Sequence, residues 1–446
     1  MLAVAVGGAL ACVLCSGGVA GVAAHPIASR ASAVLTFSLG GGGRRIPNSF
    51  FGVSIEYKEL ARYEAEGPLF DRAIALIRPE DGSRMLLRVG GKSADHVYWH
   101  AAKATPPQWV SFITTRWLTS LAQLARRDRL RVMLDLNLAV HAPALEAAFA
   151  AAAKRALPPS TLAGFDIGNE PDLYKGQPQL QKQRVPGTIV GPHWTDNYNA
   201  SDYRRDYEAY ARALRSAVPK VALGAPELVS SDPTWLAAVQ GLCRLDPRFL
   251  TVHRYPGSTC FHETSLLYPT ISTLLSEQAT EGLAGTVVRA VAYGHAHDQQ
   301  LRVDEINSIS CGGHVGVANG FVTALWAPDA LLEMVRAGVD GVNWEVRPGT
   351  LTAPFIAQPD AIRALPEMYG LAVLAQMTRH GSFLLGSTLT QPASSHVKAW
   401  AVAYAGAMRV LVINKGPGSA TVNLRLGVQG HAFLKRLLAP RIDSVT

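Results

Sequence analysis

Cysteine is scarce and poorly spaced for a scaffold. Five occur in 446 residues, and Cys12 and Cys15 lie in an apolar N-terminal stretch. The remaining Cys243, Cys260 and Cys311 are odd in number and contain no C-x-x-C, which excludes a disulfide framework and a zinc ribbon. After the N-terminus no apolar run approaches the roughly 20 residues that a bilayer span needs. No basic run interleaved with aromatics occurs, which argues against a nucleic-acid partner. No G-x-G-x-x-G follows the first strand-like run, against a doubly wound dinucleotide fold. Gly91-Lys92-Ser93 lacks a P-loop's leading glycine, because Leu86 stands there. His262-Glu263 is followed by Leu266 where a zincin helix needs histidine, and no G-x-S-x-G elbow is present. Acidic residues are also the minority, 34 against 42 Lys and Arg, for a net charge of +8. That balance favours an acidic substrate such as a uronic acid or anionic polysaccharide, unless it only reflects arginine-rich codon usage.

What is present suits one large domain and a smaller one, since 48% of the residues are apolar. Residues 1–30 are expected to be a secretory signal peptide or disordered leader, with Val22-Ala23-Ala24 as the cleavage candidate and a membrane anchor as the alternative. That places the protein as secreted or extracytoplasmic. Eight short apolar runs then alternate with helical stretches: Phe51–Ile55, Met85–Val89, Val132–Leu136, Phe165–Gly168, Val221–Gly224, Leu250–His253, Leu301–Asp304 and Gly341–Trp344. Buried parallel strands read as continuous apolar runs, and eight strand–helix units predict a (β/α)8 TIM barrel over residues 46–370. Amphipathic helices are expected over Trp109–Arg126, Tyr203–Ala217, Tyr268–Ala279 and Ala327–Ala337. From 371 to 446 the pattern changes to short strands, Val397–Tyr404, Arg409–Asn414, Ala420–Leu426 and Phe433–Leu437. These predict a smaller C-terminal antiparallel β-sandwich domain. Residues 31–45 hold a further strand, Val34–Leu39, expected to join that domain, with Gly40–Gly43 separating it from the barrel. Asn199-Ala200-Ser201 is a glycosylation sequon.

Residues at the C-terminal ends of barrel strands face the active site. The fourth run ends in Asn169-Glu170-Pro171 and the seventh in Asp304-Glu305-Ile306. Strands four and seven lie roughly across a barrel mouth, so Glu170 and Glu305 can flank one glycosidic bond. Glycoside hydrolysis needs such a pair, an acid for the leaving oxygen and a carboxylate for the anomeric carbon. Pro171 is expected to hold Glu170 extended at the strand end. Around the pair, Asn169 is placed for a sugar 2-hydroxyl. Tyr255 and Arg88 are placed to keep Glu305 ionised. Glu56 and Asp95 are candidate acceptors for sugar hydroxyls. His253 is either a satisfied core histidine or a substrate contact, and Glu345 is a third carboxylate without an assigned role. Trp99, Trp194 and Trp344 are stacking candidates. Cys260 follows strand six and Cys311 strand seven, so a bridge between them is expected in an oxidising compartment, with Cys243 free and buried.

These strings resemble glycoside hydrolase family 79, the β-glucuronidases and heparanases. The likeness runs from Phe51-Gly52-Val53-Ser54-Ile55-Glu56 through Arg88-Val89-Gly90-Gly91-Lys92-Ser93-Ala94-Asp95 and Gly168-Asn169-Glu170-Pro171-Asp172. It continues through His253-Arg254-Tyr255-Pro256 to Glu305-Ile306-Asn307-Ser308-Ile309-Ser310-Cys311-Gly312-Gly313. The resemblance implies a metal-free, cofactor-free, retaining hydrolysis of a β-glycoside, often a β-glucuronide, with Glu170 as acid/base and Glu305 as nucleophile. Two positions depart from the family pattern. Lys92 stands where the family often shows asparagine. Ser310 and Cys311 stand near where some members carry a tyrosine that contacts the sugar carboxylate. Lys92 itself is a candidate partner for such a carboxylate. The alternatives to an exo-acting β-glucuronidase are a glycosidase for a neutral sugar, an endo-enzyme on an acidic polysaccharide, or a non-catalytic carbohydrate-binding barrel. The segment Lys175–Ala200 would wall one side of the cleft and favour exo action.

Overall fold

The computed structural model describes residues 2–6, 9–15, 34–80, 82–100, 111–158, 160–176, 197–358, 361–392, 395–427 and 431–445. Trp194, the Val22-Ala23-Ala24 site and most of the Lys175–Ala200 wall lie outside them. Eight parallel strands close a barrel: β1 (Phe51–Glu56), β2 (Met85–Gly90), β3 (Leu130–Leu136), β4 (Leu162–Ile167), β5 (Leu223–Leu228), β6 (Phe249–Arg254), β7 (Gln300–Ile306) and β8 (Gly341–Glu345). Each is apolar enough to be buried from both sides, as the runs predict. The interior also carries charge, including Arg88, Asp135, Asp166 and Asp304. Glycines on neighbouring strands make room for it. A Cβ at Gly90 would sit 1.5 Å from Asp135 Oδ2, and one at Gly224 would sit 1.7 Å from Asp166 Oδ1.

Two expected helices are shorter than predicted. The helix expected from Trp109 begins at Thr115, because the Thr114 hydroxyl caps it by accepting from the Trp117 N–H, while Ser111–Ile113 pairs as a short strand with Val97–Trp99. Tyr268–Ala279 forms only Ile271–Leu275 and a single tight turn, Glu277–Ala279, because Ser276 between them is extended. The Asn199 sequon is a helix cap whose amide donates to Asp202. Among the described residues no helix is long and apolar enough to cross a membrane.

The barrel's last helix, Pro366–Met377, runs past residue 371, so the second domain begins with the strand Phe383–Thr390, which sequence patterning missed. One eight-stranded sheet forms that domain, with neighbours Leu2–Val6, Ala420–Arg425, Val34–Arg45, Phe383–Thr390, Val397–Tyr404, Ala407–Asn414, Ala9–Cys15 and Ala432–Leu438. The expected N-terminal strand does join the sheet. It pairs antiparallel with Phe383–Thr390 and parallel with Ala420–Arg425. Gly40–Gly43 does not separate it from the barrel but continues the strand to Arg45. Residues of the apolar leader supply two of the eight strands. Alternation sorts the faces. Trp400, Leu411 and Ile413 pack on the barrel's core, whereas Ala401, Val410 and Val412 meet Leu35, Phe37 and Val422 in a second, smaller core.

Candidate active site

β4 stops at Ile167, and the chain turns sharply through Gly168 (φ 90°) and Glu170 (φ 47°) into a tight helical turn, Pro171–Gly176. Glu170 is therefore left-handed rather than extended. Pro171 bars the right-handed helical region for the residue before it, as expected, but the chain reversal selects the left-handed well. For a non-glycine residue this well is strained, and such strain collects at functional sites. The turn aims the Glu170 carboxyl over the barrel, where its Oε1 lies 2.9 Å from His253 Nδ1.

Glu305, near the end of β7, faces it. Oxygens of Glu170 and Glu305 and Nδ1 of His253 all lie within 4.8 Å of one another. The surroundings of the two carboxyls differ. Arg88 Nη1 donates to Glu305 Oε2 at 2.7 Å and the Tyr255 hydroxyl donates to Oε1 at 2.7 Å. Burial alone would raise the Glu305 pKa. The positive charges of His253 and Arg88 and the hydrogen bonds from Tyr255 and Arg88 outweigh it and hold the carboxyl at about 2. His253 is pushed the other way. Burial would lower its pKa, but the Glu305 charge, the Glu170 hydrogen bond and Asp304 bring it up to about 9. Glu170, Glu305 and His253 have the spacing of a metal's ligand set, with His253 Nδ1 2.9 Å from Glu170 Oε1 and 4.0 Å from Glu305 Oε2.

Arg88 is fully buried and organises the floor. It bonds Asn169 Oδ1 at 3.0 Å, Asp135 Oδ2 at 2.7 Å, Glu227 Oε2 at 2.5 Å and Ser54 Oγ at 3.0 Å, with Asp304 at 3.8 Å. The sequence reading missed Asp135 and Glu227. Glu227 lies in β5, one residue before its end, because that strand runs on through Pro226 to Leu228, beyond the expected Val221–Gly224. A glutamate inside an apolar run at a strand's C-terminal end was the available signal. Burial foremost raises Glu227 well above the carboxylate range, despite the Arg88 charge.

The structure thus brings Arg88, Asn169, Glu170, Tyr255 and Glu305 together, with His253 and Glu345 beside them. Glu56 is buried at the same end, where its Oε2 accepts from Ser93 N–H at 2.7 Å and Arg347 stands 4.0 Å away. Asp95 is no free acceptor, because it is buried and takes the Tyr174 hydroxyl at 2.9 Å. Burial pushes it up to about 7. Lys92 is exposed on the turn after β2. Trp99 and Trp344 are not stacking platforms. Trp99 packs on Phe149 in the core, and fully buried Trp344 donates to Glu367 at 3.0 Å. Cys260 and Cys311 are bridged, with Cα atoms 5.8 Å apart. They tie together the loops after β6 and β7, which also pair through Gly257–Ser258 and Ile309–Ser310. Cys243 is free as expected but exposed, because it sits at the start of a surface turn rather than inside an element.

No family model matches the chain, and neither does any curated protein. Solved structures do match in fold. A 4-O-α-L-rhamnosyl-β-D-glucuronidase from Fusarium oxysporum 12S superposes with TM-score 0.62 at 12% identity, over 90% of this chain and 98% of that one. A family 51 arabinofuranosidase from Xanthomonas axonopodis pv. citri gives TM-score 0.63 at 18% identity, covering 89% and 88%. The catalytic domain of family 30 xylanase C from Talaromyces cellulolyticus gives 0.52 at 11%, covering 87% and 89%. The chain therefore shares the TIM barrel and appended β domain of these glycoside hydrolases.

Proposed function

We propose that the protein is a retaining glycoside hydrolase, with Glu305 as nucleophile and Glu170 as acid/base. The observation that carries this reading is the pair itself. Two carboxyls on β4 and β7 approach within 4.8 Å, and Glu305 is held charged by Arg88, Tyr255 and His253. Retaining enzymes hold their carboxyls about 5–5.5 Å apart so that one can touch the anomeric carbon, whereas inverting enzymes leave about 6.5–9.5 Å for a water. In the first step Glu305 attacks the anomeric carbon while the Glu170 carboxyl protonates the departing oxygen. In the second Glu170 takes a proton from water, which attacks the same carbon and releases Glu305. Asn169, whose Oδ1 is held by Arg88, keeps its amide N–H groups for the sugar 2-hydroxyl. A 2-fluoro glycoside should trap an ester on Glu305, found by peptide mass. A label on Glu345 or Asp304, or a first product of inverted configuration, would overturn the assignment. Glu170→Gln should cripple substrates with poor leaving groups, spare activated aryl glycosides and be rescued on them by azide.

The substrate class we propose is a β-glucuronide, cleaved from the chain end. The net charge of +8, exposed Lys92 on the turn after β2, Arg347 beside Glu56, and the fold shared with a rhamnosyl-glucuronidase support it. On a panel of nitrophenyl glycosides the glucuronide should lead, and Lys92→Ala should raise its KM more than that of the glucoside. A wild-type preference for the glucoside would remove the uronate reading and leave the two-carboxylate chemistry standing. Secretion belongs to the same proposal, and the Cys260–Cys311 bridge supports it, since disulfides persist in oxidising compartments.

A further inference from the structure

Glu345 ends β8 and takes no part in the two-carboxylate chemistry, yet it is tied to it through a single hydroxyl. The Tyr255 oxygen lies 2.7 Å from Glu305 Oε1 and 3.1 Å from Glu345 Oε2. A phenol has one proton to give. Between two ionised carboxylates it would satisfy one and turn its lone pairs on the other at hydrogen-bond distance, in a site with little water to screen the repulsion. The second carboxyl must therefore bring its own proton. Glu305 is the ionised member, because it has the shorter contact and Arg88 lies 2.7 Å from its other oxygen.

The groups that face Glu345 agree. Glu305 comes from β7, Glu56 from β1, Tyr255 from the turn after β6, Glu367 from the helix Pro366–Met377 and Tyr63 from the helix Leu60–Glu66. Arg347, two residues on, is the cation among them. Burial first, then the charges of Glu305 and Glu56, push Glu345 up to about 8.

We propose that Glu345 is a positioning residue which, as the neutral acid, donates to Tyr255 and so commits the Tyr255 proton to Glu305. The order of donation is Glu345 O–H to the Tyr255 oxygen, and Tyr255 O–H to Glu305. No proton moves during the reaction. Above its titration point Glu345 competes for the Tyr255 proton. Glu305 Oε1 then loses its fixed donor and gains a second anion as a neighbour, so an alkaline limit on the first chemical step arises here.

This rests on Glu305 being the nucleophile, and the test separates the two. The pH profile of kcat/KM is measured with the dinitrophenyl glycoside of whichever sugar the panel finds cleaved. That leaving group departs without a proton, so Glu170 does not shape the limb. The wild type should lose activity through an apparent pKa of about 8. Glu345→Gln donates through its amide at every pH. Its alkaline limb should move up by about one unit, to the titration of His253 near 9. Tyr255→Phe removes the donor at every pH and should shrink the limb near 8 to the part that the Glu345 charge alone causes. A merely structural role would lower activity at all pH values and leave the limb in place, and an unmoved limb in Glu345→Gln, or one of full size in Tyr255→Phe, overturns the proposal. The 2-fluoro label distinguishes the failures. A label on Glu305 with an unmoved limb sinks the Glu345 role alone, whereas a label elsewhere removes the nucleophile and this inference with it.

Discussion

Around Arg88 four carboxyl groups, Asp135, Glu227, Asp304 and Glu305, crowd one guanidinium and one histidine, all but Glu305 fully screened from solvent. Where the sheet meets the barrel the same kinds of side chain meet in another ratio. Lys398 pairs with Glu277 at 2.5 Å and Glu333 at 2.9 Å, and Lys415 with Glu277 at 3.0 Å and Asp329 at 2.7 Å. Arg336 adds a bond to Glu333 at 2.5 Å, and Trp400 donates to Asp329 at 2.8 Å. In the first web acids outnumber cations in a low-dielectric floor. Charging all of them would leave net negative charge unsolvated, so some must keep protons while the best-partnered one, Glu305, stays ionised. In the second web cations nearly match acids and Glu277 is more than half exposed, so the charges settle into ordinary docking pairs. Imbalance sorts carboxyls into acids and anions, which is what two-carboxylate catalysis needs. Balance only fastens two surfaces.

The largest effect should come from removing the one charge the first web protects. Glu305→Gln should cut kcat/KM by on the order of 10⁴-fold or more with little change in the thermal midpoint. Asp329→Asn, the corresponding change in the second web, should leave kcat/KM unaltered. Equal losses in both would erase the distinction. Next is the organising cation. Arg88→Met strands buried carboxylates and should cost about 3–5 kcal/mol in denaturant unfolding. It should also move the acid limb of kcat/KM upward from about 2 toward the usual carboxylate range, because Glu305 loses one of the two charges that, with the Tyr255 hydrogen bond, hold it down. An acid limb that stays put would mean that Arg88 only packs.

Lys398→Met sharpens the other side. Losing its bonds to Glu277 and Glu333 should cost about 1–3 kcal/mol, seen as a lower thermal midpoint at unchanged kcat/KM. The smallest effect is its pH dependence. Burial raises the Glu277 pKa, but Lys398 and Lys415 win and hold it below 4.5. Its contribution is therefore complete above the unfolded value and is lost as pH falls through the lowered one. The drop in thermal midpoint between pH 5 and pH 3 should shrink in Lys398→Met. An identical drop would show that this web does not titrate as a unit.

The barrel was legible because its signal is local. Eight apolar runs alternating with helical stretches, each a buried parallel strand, fit a closed barrel. The paired strings Asn169-Glu170-Pro171 and Asp304-Glu305-Ile306 also sit at strand ends, where topology alone brings their loops to one rim. The Cys260–Cys311 bridge was legible for the same reason, since β6 and β7 are neighbours. Less could be read where a residue's fate depends on distant atoms. Asp95 is closed off by Tyr174, which lies 79 positions along the chain. Trp99 and Trp344 look like sugar platforms in sequence and are core in space, because a side chain's direction is set by the pleat and the packing of its strand.

Glu345 shows the division most sharply. Sequence by itself determined that three glutamates stand at the ends of β4, β7 and β8, hence the class of chemistry the mouth can hold. It also determined the alternation that turns one face of Val397–Tyr404 toward the barrel. It did not determine which glutamate is an acid and which an anion. That was decided only when folding set Arg88, His253 and one Tyr255 hydroxyl among them, because a carboxyl's proton is governed by Coulomb interactions and desolvation over a few ångströms of space, not by its neighbours along the chain.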